Sequence, residues 1–268
     1  MTITRHSLQA SNRHARAGGP PSVGVIGLGA FGRLMVRHLI PHLPLRGYDP
    51  AFPEAAGTGP GGIPLASLAA VAASDIVVLA TPVDRLSKVI AAIGPHLRPG
   101  AVVLDVGSVK VMPAEIMRRG LPEHVEIVGT HPLFGPQSAC EGITSLKIAV
   151  CPIRGRSAFR IAAFLRRVLR LKVIVTTPEA HDREAAMVQG LTHLIAKVLV
   201  RMEPLPTRMT TASFDLVARA VEMVRYDAPE VFLAIERDNP FAPEVRRRFF
   251  ALAAEVDAAL ESHHEAAA

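Results

Sequence analysis

Tryptophan is absent from the 268 residues, and only two tyrosines and ten phenylalanines are present. So few rings leave little with which to stack nucleobases. Two cysteines, Cys140 and Cys151, are too few for a disulfide framework and lack the CxxC spacing of redox work, which favours a reducing cytoplasm. Acidic side chains are missing before Asp49, while Arg5, Arg13, Arg16, Arg33, Arg37 and Arg46 precede it. From Asp49 onward basic and acidic groups balance at 24 each, so the formal charge of +6 is local and the body of the protein is neutral. That distribution speaks against a surface made to coat nucleic acid. Residues 63–83 are the most apolar stretch, but Pro64, Asp75 and Pro82 interrupt them. They read as a helix followed by a strand, and no membrane segment is expected. The first 22 residues hold no apolar run of the kind a secretory signal needs. Residues 1–21 are expected to form a disordered basic tail on a cytoplasmic protein, with organellar import the other reading. HExxH, GxSxG and paired-cysteine spacings are all missing, so neither a metal site nor a hydrolase triad is expected.

What is present is a succession of short apolar runs. Val23 to Ile26, Leu45 to Tyr48, and residues 75–80, 101–105, 126–129, 147–151 and 172–176 all read as strands. Helical stretches alternate with them, among them 33–39, 83–93 and 157–169. This alternation predicts βαβ units and a mostly parallel sheet covered on both faces. After Thr176 the strands stop. Thr177-Pro178-Glu179 is a helix start, with a hydroxyl cap, a proline whose missing N–H costs nothing there, and an acid at the positive end of the dipole. Helices are expected to about Met202, over 211–225, over 229–237 and from Pro243. In the last, Val245, Phe249, Leu252, Val256 and Leu260 form an apolar stripe. The expected division is an α/β dinucleotide-binding domain at 22–177, of Rossmann type, and an all-helical second domain at 178–268.

Gly27-x-Gly29-x-x-Gly32 follows the first strand and opens a helix, which is the setting this motif requires. The first glycine permits a tight turn, the second lets backbone approach a pyrophosphate, and the third lets helix pack on strand. Leu28, Ala30 and Phe31 complete the cofactor-facing loop, and Thr81, just after the third strand, is placed with them. Asp49 ends the second strand, where a carboxylate accepts hydrogen bonds from ribose hydroxyls and repels a 2′-phosphate. NAD is therefore expected in preference to NADP, with Arg33 and Arg46 leaving room for the latter. Asp105-Val-Gly-Ser-Val-Lys110 lies at the carboxyl end of a parallel strand, where open α/β sheets bind ligands. The next strand leads into Gly129-Thr-His-Pro-Leu-Phe-Gly-Pro136, a loop whose prolines and glycines would hold His131 in place.

These motifs resemble those of the prephenate and arogenate dehydrogenases of tyrosine biosynthesis. The likeness continues through His181-Asp182, Gln189-Gly-Leu-Thr-His193, Ala212-Ser-Phe214, Asp227-Ala-Pro-Glu230 and Asn239-Pro240, in order and over residues 22 to about 258. It implies an NAD-dependent oxidative decarboxylation of a cyclohexadienol. His131 would manage the hydroxyl proton as C4 loses hydride. Ser108 would steady His131, and His193 would reach toward nicotinamide and substrate. A dicarboxylate substrate needs cations, for which Lys110 and Arg225 are the candidates, with Gln189 and Thr192 as polar groups of the pocket. Arg225 does not stand at the spacing from Asp227 that the family pattern suggests, and Arg219 competes with it. Two other readings compete: a 3-hydroxyacid-type dehydrogenase, against which Lys197 is followed one turn later by Arg201 rather than Asn, and an NAD-binding sensor without catalysis. The extent of apolar surface in the helical half predicts a homodimer packed through it.

Overall fold

The computed structural model describes residues 19–265. Arg5, Arg13, Arg16 and most of the expected tail lie outside that range. The sheet is built from Val23–Ile26 (β1), Leu45–Tyr48 (β2), Ile76–Leu79 (β3), Val102–Asp105 (β4), Glu126–Pro132 (β5), Lys147–Arg154 (β6) and Lys172–Val175 (β7). Its strand order is β2-β1-β3-β4-β5-β6-β7. Strands β1 to β5 run parallel, β6 is antiparallel to β5, and β7 is parallel to β6. The chain leaves β1 toward β2 and then crosses to β3 on the other side, which opens a crevice at the carboxyl ends of β1 and β3.

Helices Ala30–Leu39 (α1), Leu68–Ala72 (α2), Leu86–Ile93 (α3), Val111–Gly120 (α4) and Ala158–Arg167 (α5) connect the strands. All four residues of β1 and of β4 are buried, as a parallel sheet with two covered faces requires. Val71, Leu79, Ile90, Ile93, Met117 and Ile127 fill one face, on the side of α2, α3 and α4. Val25, Leu28, Val36, Val78, Leu104 and Val150 fill the other. Each such burial contributes about 1.5–3 kcal/mol, so these two layers outweigh any cap or surface ion pair.

Every regular element after Thr177 is helical: Pro178–Ala185 (α6), Leu191–Arg201 (α7), Ala212–Val224 (α8), Pro229–Leu233 (α9) and Ala242–Glu265 (α10). Thr177 caps α6 by accepting from the Ala180 N–H at 3.2 Å, and Thr211 caps α8 by accepting from Phe214 at the same distance. Two π-helical turns, Ala186–Gly190 and Ala234–Asp238, interrupt what periodicity reads as continuous helices. The apolar stripe of α10 does not face the core along its length. Val245 and Phe249 are half-buried, whereas Leu252, Val256 and Leu260 are 49%, 62% and 67% exposed. Among the described residues no helix is long and apolar enough to cross a membrane.

Candidate active site

The turn from β1 into α1 lies at the crevice. Gly27 has φ +101°, and a Cβ there would collide with the Ala80 carbonyl. A Cβ on Gly32 would collide with the carbonyl of Gly27, whereas one on Gly29 would meet nothing within 4 Å. The first and third glycines are thus demanded by the protein itself, and the second leaves open space for something else to approach. Gly29 caps α1 without a side-chain hydrogen bond, and the first turn of that helix carries no acid, so its N–H groups suit an anion. Asp49 accepts from the Leu28 N–H at 2.7 Å and from the Ala51 N–H at 2.9 Å, which leaves further lone pairs on both oxygens. Arg33 donates from Nε to the Leu28 carbonyl at 2.8 Å and lies over the Phe52 ring. At the end of β3, the buried Oγ1 of Thr81 has no hydrogen-bond partner among the described residues. These features fit a dinucleotide along the crevice.

His131 occupies a strand, not the loop its prolines suggest. β5 continues past Gly129 because antiparallel β6 pairs His131 with Ala149 and Pro132 with Ile148. Thr130 and Pro132 face an apolar crevice of about 380 Å³ between α1 and α5, and His131, alternating with them, points to the opposite face. His131 does not line that crevice, which is therefore not where the chemistry converges.

On its own face His131 meets the start of the helical half. Asp182 accepts the backbone N–H groups of Lys110 at 2.7 Å and Val111 at 2.8 Å, and its Oδ1 lies 2.7 Å from His181 Nδ1. A carboxylate only accepts, so His181 carries its proton on Nδ1 and its Nε2 is bare. His131 Nδ1, 2.8 Å from that Nε2, therefore donates, and His131 Nε2 keeps a free lone pair. The Gln189 amide nitrogen is 3.4 Å from that lone pair. Burial holds His131 well below the usual histidine range, with the facing His181 and Lys110 acting in the same direction. Asn239 fixes the junction by donating to the Asp182 carbonyl at 2.7 Å.

Several expected roles are not met. Ser108 makes no hydrogen bond to His131; His181 and Gln189 hold the ring instead. Lys110 is fully buried and its ammonium is bonded to Asp105, so it is no contact for a substrate carboxylate. Burial raises the Asp105 carboxyl, opposed by the same Lys110. The Arg225 guanidinium is occupied by Glu222 and by Glu203. Thr192 is exposed and its hydroxyl bonds back to the Val188 carbonyl of its own helix at 2.7 Å. His193 is buried with Nδ1 on the Gln189 carbonyl at 3.0 Å and Nε2 on Asp227 at 3.1 Å, so both nitrogens face protein oxygens. Lys197 lies over the Phe232 ring. The contacts that His181, Asp182 and Asn239 make around His131 were missed. These three stood in the sequence only as motif residues, with no sign of what they touch.

A model of the prephenate dehydrogenase nucleotide-binding domain matches residues 64–147. A probable arogenate/prephenate dehydrogenase of Methanocaldococcus jannaschii is 27% identical over 189 residues, 65% of this chain and 41% of that protein. The 4-amino-4-deoxyprephenate dehydrogenase of Streptomyces pristinaespiralis is 27% identical over 191 residues, 68% of this chain and 62% of that protein. The chain thus spans less than two thirds of these curated relatives. Among solved structures, prephenate dehydrogenase from A. aeolicus in complex with hydroxyphenyl propionate and NAD+ superposes with a TM-score of 0.73 at 20% identity, covering 93% of this chain and 94% of that one. The seven-stranded α/β fold with its C-terminal helices is shared with that enzyme.

Proposed function

Because the chain belongs to the prephenate/arogenate dehydrogenase family, we propose that it oxidises and decarboxylates prephenate or arogenate in tyrosine biosynthesis. The observation that carries this reading is the bare, buried Nε2 of His131, fixed by the line from Asp182 through His181. A base that stays neutral at ordinary pH suits the transfer of one hydroxyl proton. When bound, the nicotinamide supplies the hydride acceptor. The chain's own part is to seat the C4 hydroxyl on His131 Nε2, take or share its proton while C4 is oxidised, and return it once loss of carbon dioxide has made the ring aromatic. Little else is needed, because aromatisation drives the second half of the reaction; orientation is the main demand.

Gly29, Ala30 and the helix start behind them would face the pyrophosphate, Thr81 would offer its unpartnered hydroxyl, and Asp49 would hold the ribose. The Asp49 carboxylate favours NAD over NADP by repulsion of a 2′-phosphate. The helical part is proposed to pair two copies of the chain. Lys197, drawn to Phe232, gives no support to a 3-hydroxyacid-type mechanism. The test is NADH formation with prephenate and with arogenate. Turnover of either supports the reading; binding of NAD with no turnover of either rejects it.

A further inference from the structure

We propose that the apolar crevice between α1 and α5 is a second binding site, shaped for a free single-chain acyl carboxylate and separate from the reaction at His131. It holds about 380 Å³ and lies on the face of the sheet from which His131 turns away. Val78, Val102 and Leu104 form its floor, and Leu34, Ile161 and Phe164 stand along its sides. The floor residues are only 4%, 7% and 7% exposed, so the slot is narrow as well as deep. Its length follows from the strand beneath it. Val102 and Val106 both line it, and four steps of about 3.3 Å make a run of roughly 13 Å. A slender aliphatic chain suits such a space, and a broad ring system does not. The Thr130 hydroxyl on the floor already donates to the Asp105 carbonyl at 2.5 Å, so the interior has little to hold water.

The two ends of the slot differ in character. The inner end, toward the carboxyl ends of the strands, is walled by Phe31 and Phe134, whose ring centroids are 6.3 Å apart, and by the buried Ile143, Ile148 and Leu171. The outer end lies at the amino ends of the strands, where α1 finishes and α5 begins. There the lining turns polar, with His38, Asp75, Glu126, Ser157 and Arg160. Both carboxylates are engaged. Glu126 accepts from the Arg156 and Ser157 N–H groups at 2.5 and 2.6 Å, and Asp75 accepts from the Ser22 N–H at 3.0 Å and its hydroxyl at 2.7 Å. Arg160, by contrast, is exposed and makes no hydrogen bond or ion pair among the described residues. Burial and the neighbouring Arg37 hold His38 below the usual histidine range, so it offers a neutral N–H at the same mouth.

Charge on the two banks points the same way. Residues 156–170 carry Arg156, Arg160, Arg166, Arg167 and Arg170 and no acid, and α1 carries Arg33 and Arg37 and no acid. An anion is therefore drawn to this face. A molecule with an acidic head and an aliphatic tail matches both ends at once: the head meets Arg160 and His38, and the methyl end reaches Phe31 and Phe134. A fatty amine would bring the wrong charge to the mouth.

The test is calorimetric titration of the full chain with hexanoate, octanoate, decanoate, dodecanoate and hexadecanoate, each below its micellar concentration. Affinity should rise about fourfold for each methylene added, the value of burying one such group, and level off once the chain fills the slot. Arg160→Gln should weaken dodecanoate by about tenfold and leave uncharged dodecanol unaffected. Ile161→Phe puts a ring into the slot, so levelling should come at a shorter chain. A Tm scan shows whether each variant keeps its fold, and the exposed Arg160 carries the test if Ile161→Phe does not. Affinity independent of chain length, or dodecanoate binding equal in wild type and every folded variant, overturns the proposal. Binding to phosphatidylglycerol vesicles but not to the free acid would make this face a membrane contact and overturns it too. Particle mass, followed by light scattering, should stay constant through the titration. Dissociation of a dimer by dodecanoate would mean that a second copy fills the crevice, and the proposal fails. NADH formation is a separate measurement, and its absence would reject the proposed function without touching this site.

Discussion

The lone-pair nitrogen of His131, the proposed base, is chosen by a carboxylate that the ring never touches. Asp182 fixes His181, and His181 fixes His131. Asp182→Asn should therefore preserve volume while losing the acceptor that sets both tautomers, and we expect kcat to fall by about 10²–10⁴-fold, the range of general-base loss. NAD affinity, measured by fluorescence titration, should be unchanged; a variant with wild-type kcat would remove the relay from the mechanism. Burial also sets the pH response. The folded pKa of His131 lies well below 6.5, so the neutral base persists on the acid side of that value. The acid limb of kcat/KM that belongs to His131 should accordingly lie below pH 6.5, not at it. Stability carries the matching sign: between the two pKa values the unfolded chain binds a proton that the native one refuses. The contribution of His131 to stability is thus complete above pH 6.5 and lost as pH falls below it. Denaturant titrations at several pH values check this, and a midpoint that rises on acidification would contradict it. His131 itself was legible in the sequence because a rigid, specific motif surrounds it. His181 was not, since its partner lies 50 positions away and no local pattern reports that distance. Lys110 misled for a similar reason. A lysine beside a strand end looks like an anion contact until the strand's own Asp105 is seen to hold it in the interior.

At the scale of elements, the turn from β1 into α1 separates two kinds of glycine that sequence alone treats as one motif. Gly32 is forced by the backbone behind it, and Gly29 is bordered by nothing. Gly32→Ala must push a Cβ into the Gly27 carbonyl, so it should cost about 1–3 kcal/mol and lower Tm along with NAD affinity. Gly29→Ala meets no protein atom; its Tm should stay at the wild-type value while NAD binding weakens. Calorimetric scans with and without NAD distinguish the pair, and a Tm loss in Gly29→Ala equal to that of Gly32→Ala would refute the assignment. The strands, their parallel order and the capping of α6 and α8 were readable because each follows from local pattern. The extension of β5 through His131 was not, because antiparallel pairing with β6 is a long-range choice. The π turns were equally hidden. One of them displaces Gln189 and its carbonyl from regular helical register and so places both the amide and His193.

At the scale of the molecule, the distribution of exposed apolar side chains is lopsided. Ile195 and Val198 on α7, Leu216 and Val217 on α8, and Leu252, Val256 and Leu260 on α10 all face outward. The first pairs lie on helices in mutual contact. A soluble monomer seldom leaves so much apolar surface uncovered, and side chains of this size contribute about 1.5–3 kcal/mol each when fully buried. The +6 charge offers no competing explanation. From residue 178 onward 15 acidic side chains stand against 10 basic ones, so the helical half carries no excess of positive charge. The proposed pairing of two chains through these helices accounts for the exposed stripe, since an isologous contact lets one face serve both copies. Light scattering should give a particle of twice 28.6 kDa, little altered by salt because the contact is apolar. Val256→Glu combined with Leu260→Glu, on the outermost part of the stripe, should shift that particle to 28.6 kDa while leaving the far-UV circular dichroism helical. A wild-type chain that runs only as 28.6 kDa would reject the dimer, and the double variant remaining a dimer would move the contact off α10.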